Sequence, residues 1–216
     1  MDQKEIENVV KAVLASMSAG TQPVAASAAP QQAAASQNNG FGVFESLDDA
    51  VLAAKEAQKS LKTVEMRNLC IGAIRRAATE HARELAVLAV EETGMGRVED
   101  KLAKNLAQAN GTPGVECLRP EVLTGDHGLT LIENAAWGVI ASVTPSTNPA
   151  ATAINNAISM IAGGNSVIFA PHPAAKKVSQ RTITILNEAI VAAGGPNNLL
   201  VTVAKPDIET AQRLFK

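Results

Sequence analysis

From Val139 onward the chain repeats one unit. The apolar run VIASV (139–143) leads into PAATAINNAISMIAG, SVIFA (166–170) leads into AAKKVSQRTITILNEAIVAAG, and LLVTVA (199–204) leads into DIETAQRLF. The short runs are apolar almost throughout instead of alternating, so they predict strands covered on both faces. Such strands, separated by helices of this length, predict parallel pairing through crossover helices. The second half of the chain therefore reads as an α/β fold of nucleotide-binding type, β-α-β-α-β-α.

The segment before it reads as helical. SLDDAVLAAKEAQKSL opens with Ser46 as an N-cap and places Asp48 and Asp49 in the first turn, where the helix dipole favours acids. Further helices are predicted over Val64–Glu80, over HARELAVLAVEETG ending at Gly94, and over Val98–Asn110. TPGVECLRPEVLTGDHG reads as a loop, and GLTLI after it as an extended segment.

At the other end, residues 2–17 place Ile6, Val9, Val10, Val13, Leu14 and Met17 at helical spacing, opposite Gln3, Lys4, Glu7, Asn8 and Lys11. Residues 18–40 carry no charge and are rich in Ala, Ser, Gln, Pro and Gly, the composition of a flexible linker. An amphipathic helix on a tether either docks back on its own domain or places its apolar face in a partner.

The totals exclude several functions. With one Trp, four Phe and no Tyr, the core must be aliphatic. A formal net charge of −2, with no basic run, gives no reason to expect nucleic acid. No run approaches the ~20 apolar residues that span a bilayer. Cys70 and Cys117 form no CxxC pair and fit a reducing, cytoplasmic setting. Cys70, among Leu69, Ile71 and Ile74, reads as a small buried hydrophobe. His81, His127 and His172 are scattered without metal-ligand spacing, so no metal is expected.

The turn TPSTNP (144–149) joins the first strand to its helix. Ligands of such sheets bind at the carboxyl ends of the strands. Pro149 suits the first helical position, which leaves Asn148 at the N-cap. Two readings stand: Asn148 caps the helix, or the stiffened turn presents its amide to a developing oxyanion. No G-x-G-x-x-G follows any strand, so the usual dinucleotide fingerprint is absent.

Three stretches, ETGMGRVEDKLAKN with Glu91 before it, LIENAAWGVIASVTPSTNPAAT and GNSVIFAPHPAAKK, resemble the CoA-acylating branch of the aldehyde dehydrogenase superfamily. The likeness is greatest to the acetaldehyde dehydrogenases of ethanolamine-utilisation microcompartments, with the propionaldehyde enzymes of propanediol utilisation next. It implies an aldehyde dehydrogenase-like α/β fold: N-terminal helices, then an incomplete Rossmann-like parallel sheet over 41–216. It also implies oxidation of a small aldehyde by NAD and transfer of the acyl group to coenzyme A, through a cysteine thiolate. On this likeness Asn148 donates to the thiohemiacetal oxygen. Thr144, Pro145 and Ser146 line the cofactor, as do Pro171, His172 and Pro173. Ala170 stands at or near the place where hydrolytic relatives carry a ribose-binding Lys. Gly194, Gly195 and Pro196 match the turn beside the adenine pocket, or are no more than a helix end. Residues 2–17 match helices that dock enzymes to microcompartment shell proteins, which implies a microcompartment lumen.

Neither Cys70 nor Cys117 stands in the context of the family nucleophile. The expectation is the N-terminal part of an enzyme that is a homo-oligomer at full length. Alone it is expected to be inactive, with an unpaired sheet edge and poor solubility. A rival reading, a non-catalytic shell-docking adaptor, keeps the tail without the chemistry.

Overall fold

The computed structural model describes residues 41–215; the expected helix over 2–17 and linker over 18–40 lie outside them. A short strand β1 (Val43–Phe44) is followed by helices α1 (Leu47–Gln58), α2 (Val64–Glu80), α3 (Ala82–Thr93) and α4 (Val98–Gly111). After a 3₁₀ turn come the hairpin strands β2 (Glu121–Gly125) and β3 (Gly128–Ile132). The alternating part is β4 (Val139–Thr144), α5 (Pro149–Ala162), β5 (Ser166–Pro171), α6 (Lys176–Ala192), β6 (Leu200–Val203) and α7 (Ile208–Arg213).

The expected helix starts are capped as polar side chains require. Ser46 Oγ accepts from Asp49 N, Thr63 Oγ1 from Met66 N, and Asp207 Oδ1 from Thr210 N. Helix α3 ends on Gly94 at φ 65°, the left-handed conformation glycine adopts without strain.

β4, β5 and β6 pair in parallel, as their composition predicts. The sheet holds a fourth strand the sequence reading did not find. β1 pairs in parallel with β6, Val43 opposite Thr202, which gives the order β1-β6-β5-β4. Side chains alternate across the sheet. Val167, Phe169 and Leu200 pack against the helices on one face, including Ile154, Ile158 and Ile161 of α5 and Ile183, Leu186 and Ile190 of α6. Ile168, Val201 and Val203 pack on the other face with Phe44, Leu47, Ala50 and Ala54. Each large aliphatic side chain so buried contributes about 1.5–3 kcal/mol. Cover on both faces is why these strands read as unbroken apolar runs.

One region differs from expectation. The segment read as a loop contains β2, which pairs antiparallel with β3 from Glu121↔Ile132 to Gly125↔Gly128. Asp126 and His127 make the two-residue connection. Every residue of this hairpin is exposed, including Leu129 and Leu131. β4 is an outer strand with no second partner among the described residues. Its Val143 is 54% exposed.

Candidate active site at the carboxyl ends of the strands

Two turns meet at the carboxyl edge of the sheet. Thr144 and Pro171, the last residues of β4 and β5, are register partners. The His172 N–H then donates to Thr144 O at 3.0 Å, so TPSTNP and APHP lie side by side. Thr144 and Pro171 are buried, Pro145, His172 and Pro173 are exposed, and Ser146 and Asn148 are half-buried. The result is a rigid ledge open to solvent. His172 Nδ1 accepts from Ala174 N at 3.1 Å, which leaves Nε2 as the protonated nitrogen of the neutral ring.

Asn148 stands at the N-cap of α5 with Pro149 as the first helical residue, but its side chain makes no capping bond. Its backbone carbonyl accepts Thr152 N at 3.0 Å. Its Oδ1 accepts instead from Lys104 Nζ of α4 at 3.2 Å. Among the described residues none accepts from Asn148 Nδ2. Asn148 lines a groove of about 410 Å³ between α4 and α5, together with Lys104, Gln108, Ala151, Thr152 and Asn155. A free donor pair on a fixed turn at a strand mouth is the arrangement that stabilises a developing oxyanion.

The support for both turns comes from one stretch of sequence, residues 92–105. Lys101, only 6% exposed, donates from Nζ to Thr147 O at 2.7 Å. Burial, and then the neighbouring Lys104 charge, hold its pKa below the usual lysine value. Met95 Sδ lies 4.0 Å from Ser146 Oγ. Glu92 accepts from the N–H groups of Lys177 and Val178 at 2.7 and 2.8 Å, and so fills the N-terminus of α6. Sequence reasoning missed Glu92, Lys101 and Lys104. The available signal was the buried face of α4, which carries Lys101 and Asn105 where an ordinary amphipathic helix carries apolar residues.

The remaining expected site residues fall elsewhere. Gly194, Gly195 and Pro196 follow α6 and lead into β6, so they lie at the amino edge of the sheet, across it from the ledge. The structure does not bring them together with Thr144, Asn148 or His172. Gly195 is closely packed. A Cβ at Gly195 would lie 2.6 Å from Ile190 Cγ2 and 2.9 Å from Cys70 Sγ. Cys70 is buried, and burial pushes its thiol up to about 11. Cys117 is exposed, in the turn after α4. Among the described residues no group of three or more His, Cys, Asp or Glu could hold a metal ion. None of their helices is long and apolar enough to cross a membrane.

Comparison with known proteins agrees with the resemblance. The aldehyde dehydrogenase family model matches residues 20–216. The chain is 72% identical over 216 residues to the acetaldehyde dehydrogenase (acetylating) EutE of Salmonella typhimurium; all of this chain is covered, and 44% of that protein. Among solved structures, a propionaldehyde dehydrogenase from the Clostridium phytofermentans fucose utilisation bacterial microcompartment superposes with a TM-score of 0.78 at 46% identity, over 80% of this chain and 40% of that one. An engineered glycolyl-CoA reductase with bound NADP+ superposes with a TM-score of 0.77 at 42% identity, over 79% and 40%. The chain thus spans less than half the length of the relatives it matches. Matched by the family model over residues 20–216 and 72% identical over its whole length to an acetylating acetaldehyde dehydrogenase, the chain belongs to the aldehyde dehydrogenase family.

Proposed function

We propose that this chain is the cofactor-side portion of a CoA-acylating acetaldehyde dehydrogenase, which converts acetaldehyde, NAD and coenzyme A to acetyl-CoA and NADH in ethanolamine catabolism. The greater identity to an acetylating acetaldehyde dehydrogenase than to a propionaldehyde dehydrogenase, 72% against 46%, supports acetaldehyde as substrate. The observation that carries the catalytic reading is Asn148. Its side-chain carbonyl is engaged by Lys104 and its NH₂ has no acceptor among the described residues, so it is the donor for the oxyanion that forms when a thiolate adds to the aldehyde.

The ledge suits a nicotinamide dinucleotide. Thr144, Pro145 and Ser146 on one turn and Pro171, His172 and Pro173 on the next give a stiff surface for a flat ring. The dinucleotide supplies the hydride acceptor. Its phosphates cannot use the N-terminus of α6, where Glu92 already takes two N–H groups, so they bind outside it. The nucleophilic cysteine comes from further polypeptide, for which the open edge of β4 offers a pairing site. The exposed β2–β3 hairpin, with Trp137 92% exposed beyond it, is the surface we assign to homo-oligomer contacts.

The test uses a completed enzyme, residues 1–216 joined to the remaining sequence of the Salmonella relative. Replacing Asn148 by Ala should lower kcat about 10²–10³-fold, the usual effect of losing one oxyanion donor. A wild-type rate would remove Asn148 from the mechanism. Residues 2–17 are assigned to docking on microcompartment shell proteins. A fluorescent reporter fused to residues 1–20 should enter microcompartments, and a diffuse signal in shell-producing cells would refute that assignment.

A further inference from the structure

We propose that Lys104 is a positioning residue for Asn148: its ammonium takes the amide oxygen and so selects the one orientation in which both Nδ2 protons have no acceptor among the described residues. This rests on the reading of Asn148 as oxyanion donor.

A carboxamide is nearly symmetric in shape, so a turn alone does not decide which end faces the reactants. An ammonium group has donors and no acceptor. With Lys104 Nζ 3.2 Å from the Asn148 side chain, the near atom must be Oδ1. The flipped amide would set NH₂ against NH₃⁺, losing a charge-assisted hydrogen bond and adding repulsion. The competing orientation, Oδ1 turned inward to cap α5, is the ordinary habit of Asn at this position and is not adopted here. Lys104 diverts the oxygen from that role.

Lys101, three residues earlier on α4, fixes the preceding residue of the same turn through Thr147 O at 2.7 Å. The turn is thus held at adjacent positions, once by its backbone and once by its side chain. Neither lysine makes an ion pair among the described residues. Asp100, the carboxylate nearest Lys104 along α4, is bound by Arg97 at 2.8 Å. Among the described residues no carboxylate lies within ion-pair distance of the Lys104 ammonium. It polarises the amide it holds, which makes Nδ2 a stronger donor toward negative charge.

The experiment is a double-mutant cycle in the completed enzyme, with Lys104→Met, Lys104→Arg, Asn148→Ala and the Met/Ala double variant. Lys104→Met should lower kcat about 10- to 100-fold, as misplacement of a catalytic group does, with KM for NAD unchanged. Lys104→Arg, which keeps charge and donor, should recover most of the rate. The double variant should be no slower than Asn148→Ala alone, because Lys104 acts only through that amide. Lys104 is exposed, so melting temperatures should stay close to the parent; if Met lowers them, Arg against Gln at the same position carries the comparison. A wild-type rate for Lys104→Met beside a slow Asn148→Ala overturns this inference and leaves the oxyanion reading intact. Effects that multiply in the double variant overturn it too. A wild-type rate for Asn148→Ala overturns both.

Discussion

The carboxylate of Glu92 accepts the backbone N–H of Val178 at 2.8 Å, across 86 positions of sequence. That bond, with its companion to Lys177 at 2.7 Å, ties the end of α3 to the start of α6. Lys101 and Lys104, on the next helix, tie α4 to the turn before α5. The all-helical segment is therefore more than cover for the sheet. It sets both turns at the carboxyl edge, and the site's geometry depends on a layer that contributes no strand to it.

Replacing Glu92 by Ala should destabilise the domain by about 1–2 kcal/mol, the usual cost of losing an N-terminal helix cap. Gln keeps one acceptor oxygen without the charge and should fall between. Chemical denaturation of residues 1–216 measures this, and an unchanged midpoint for Ala would show that the helix end is satisfied by water.

Gly195 distinguishes a packing role from a cofactor role. A methyl group there collides with Ile190 and the Cys70 sulfur at 2.6 and 2.9 Å. Gly195→Ala should lower stability by about 1–3 kcal/mol, as overpacking does. Affinity for NAD, measured by titration below the melting point, should be unchanged. Weakened NAD binding without loss of stability would return this glycine to the cofactor site.

What was legible in the sequence was what burial writes locally. β5 and β6 read as strands because both their faces are covered, and α3 could be ended at Gly94 because its carbonyls need a left-handed residue there. β1 escaped notice because two residues, Val43 and Phe44, carry no period. β2 escaped because EVLTG buries neither face. The Lys101 and Lys104 contacts cross more than forty positions and leave no local trace beyond a lysine on a face that should be apolar. The place of Gly194–Pro196 across the sheet from Asn148 was legible too. In a parallel sheet a turn from helix to strand falls at the amino edge, and the alternation already read from the sequence implied it.

The two thiols should differ sharply in reactivity. Burial lifts Cys70 from 9.0 to about 11, so at pH 8 only ~0.1% is thiolate, and that fraction is inaccessible. Cys117 is exposed. An aromatic disulfide reagent should therefore label one cysteine quickly in the native protein and the second only on unfolding. The sign for stability follows. The folded thiol binds its proton more tightly than the unfolded one, so its contribution is fully present below pH 9 and is lost as pH rises toward about 11. Cys70→Ala should flatten that decline; a decline of the same slope in the variant would assign it to other groups.

The same thiols bear on catalysis. A nucleophile for aldehyde addition must be an accessible thiolate within bonding reach of the carbon whose oxygen Asn148 would hold. Cys70 fails on both protonation and access, packed as it is under Gly195 at the amino edge of the sheet. Cys117 is accessible but sits in the 3₁₀ turn after α4, apart from the residues that line the groove at Asn148. Residues 1–216 should form no NADH from acetaldehyde, NAD and coenzyme A, while the completed enzyme turns over. NADH formation by residues 1–216 that survives Cys70→Ala would make Cys117 the nucleophile, and survival in the double cysteine variant would exclude thiol chemistry altogether.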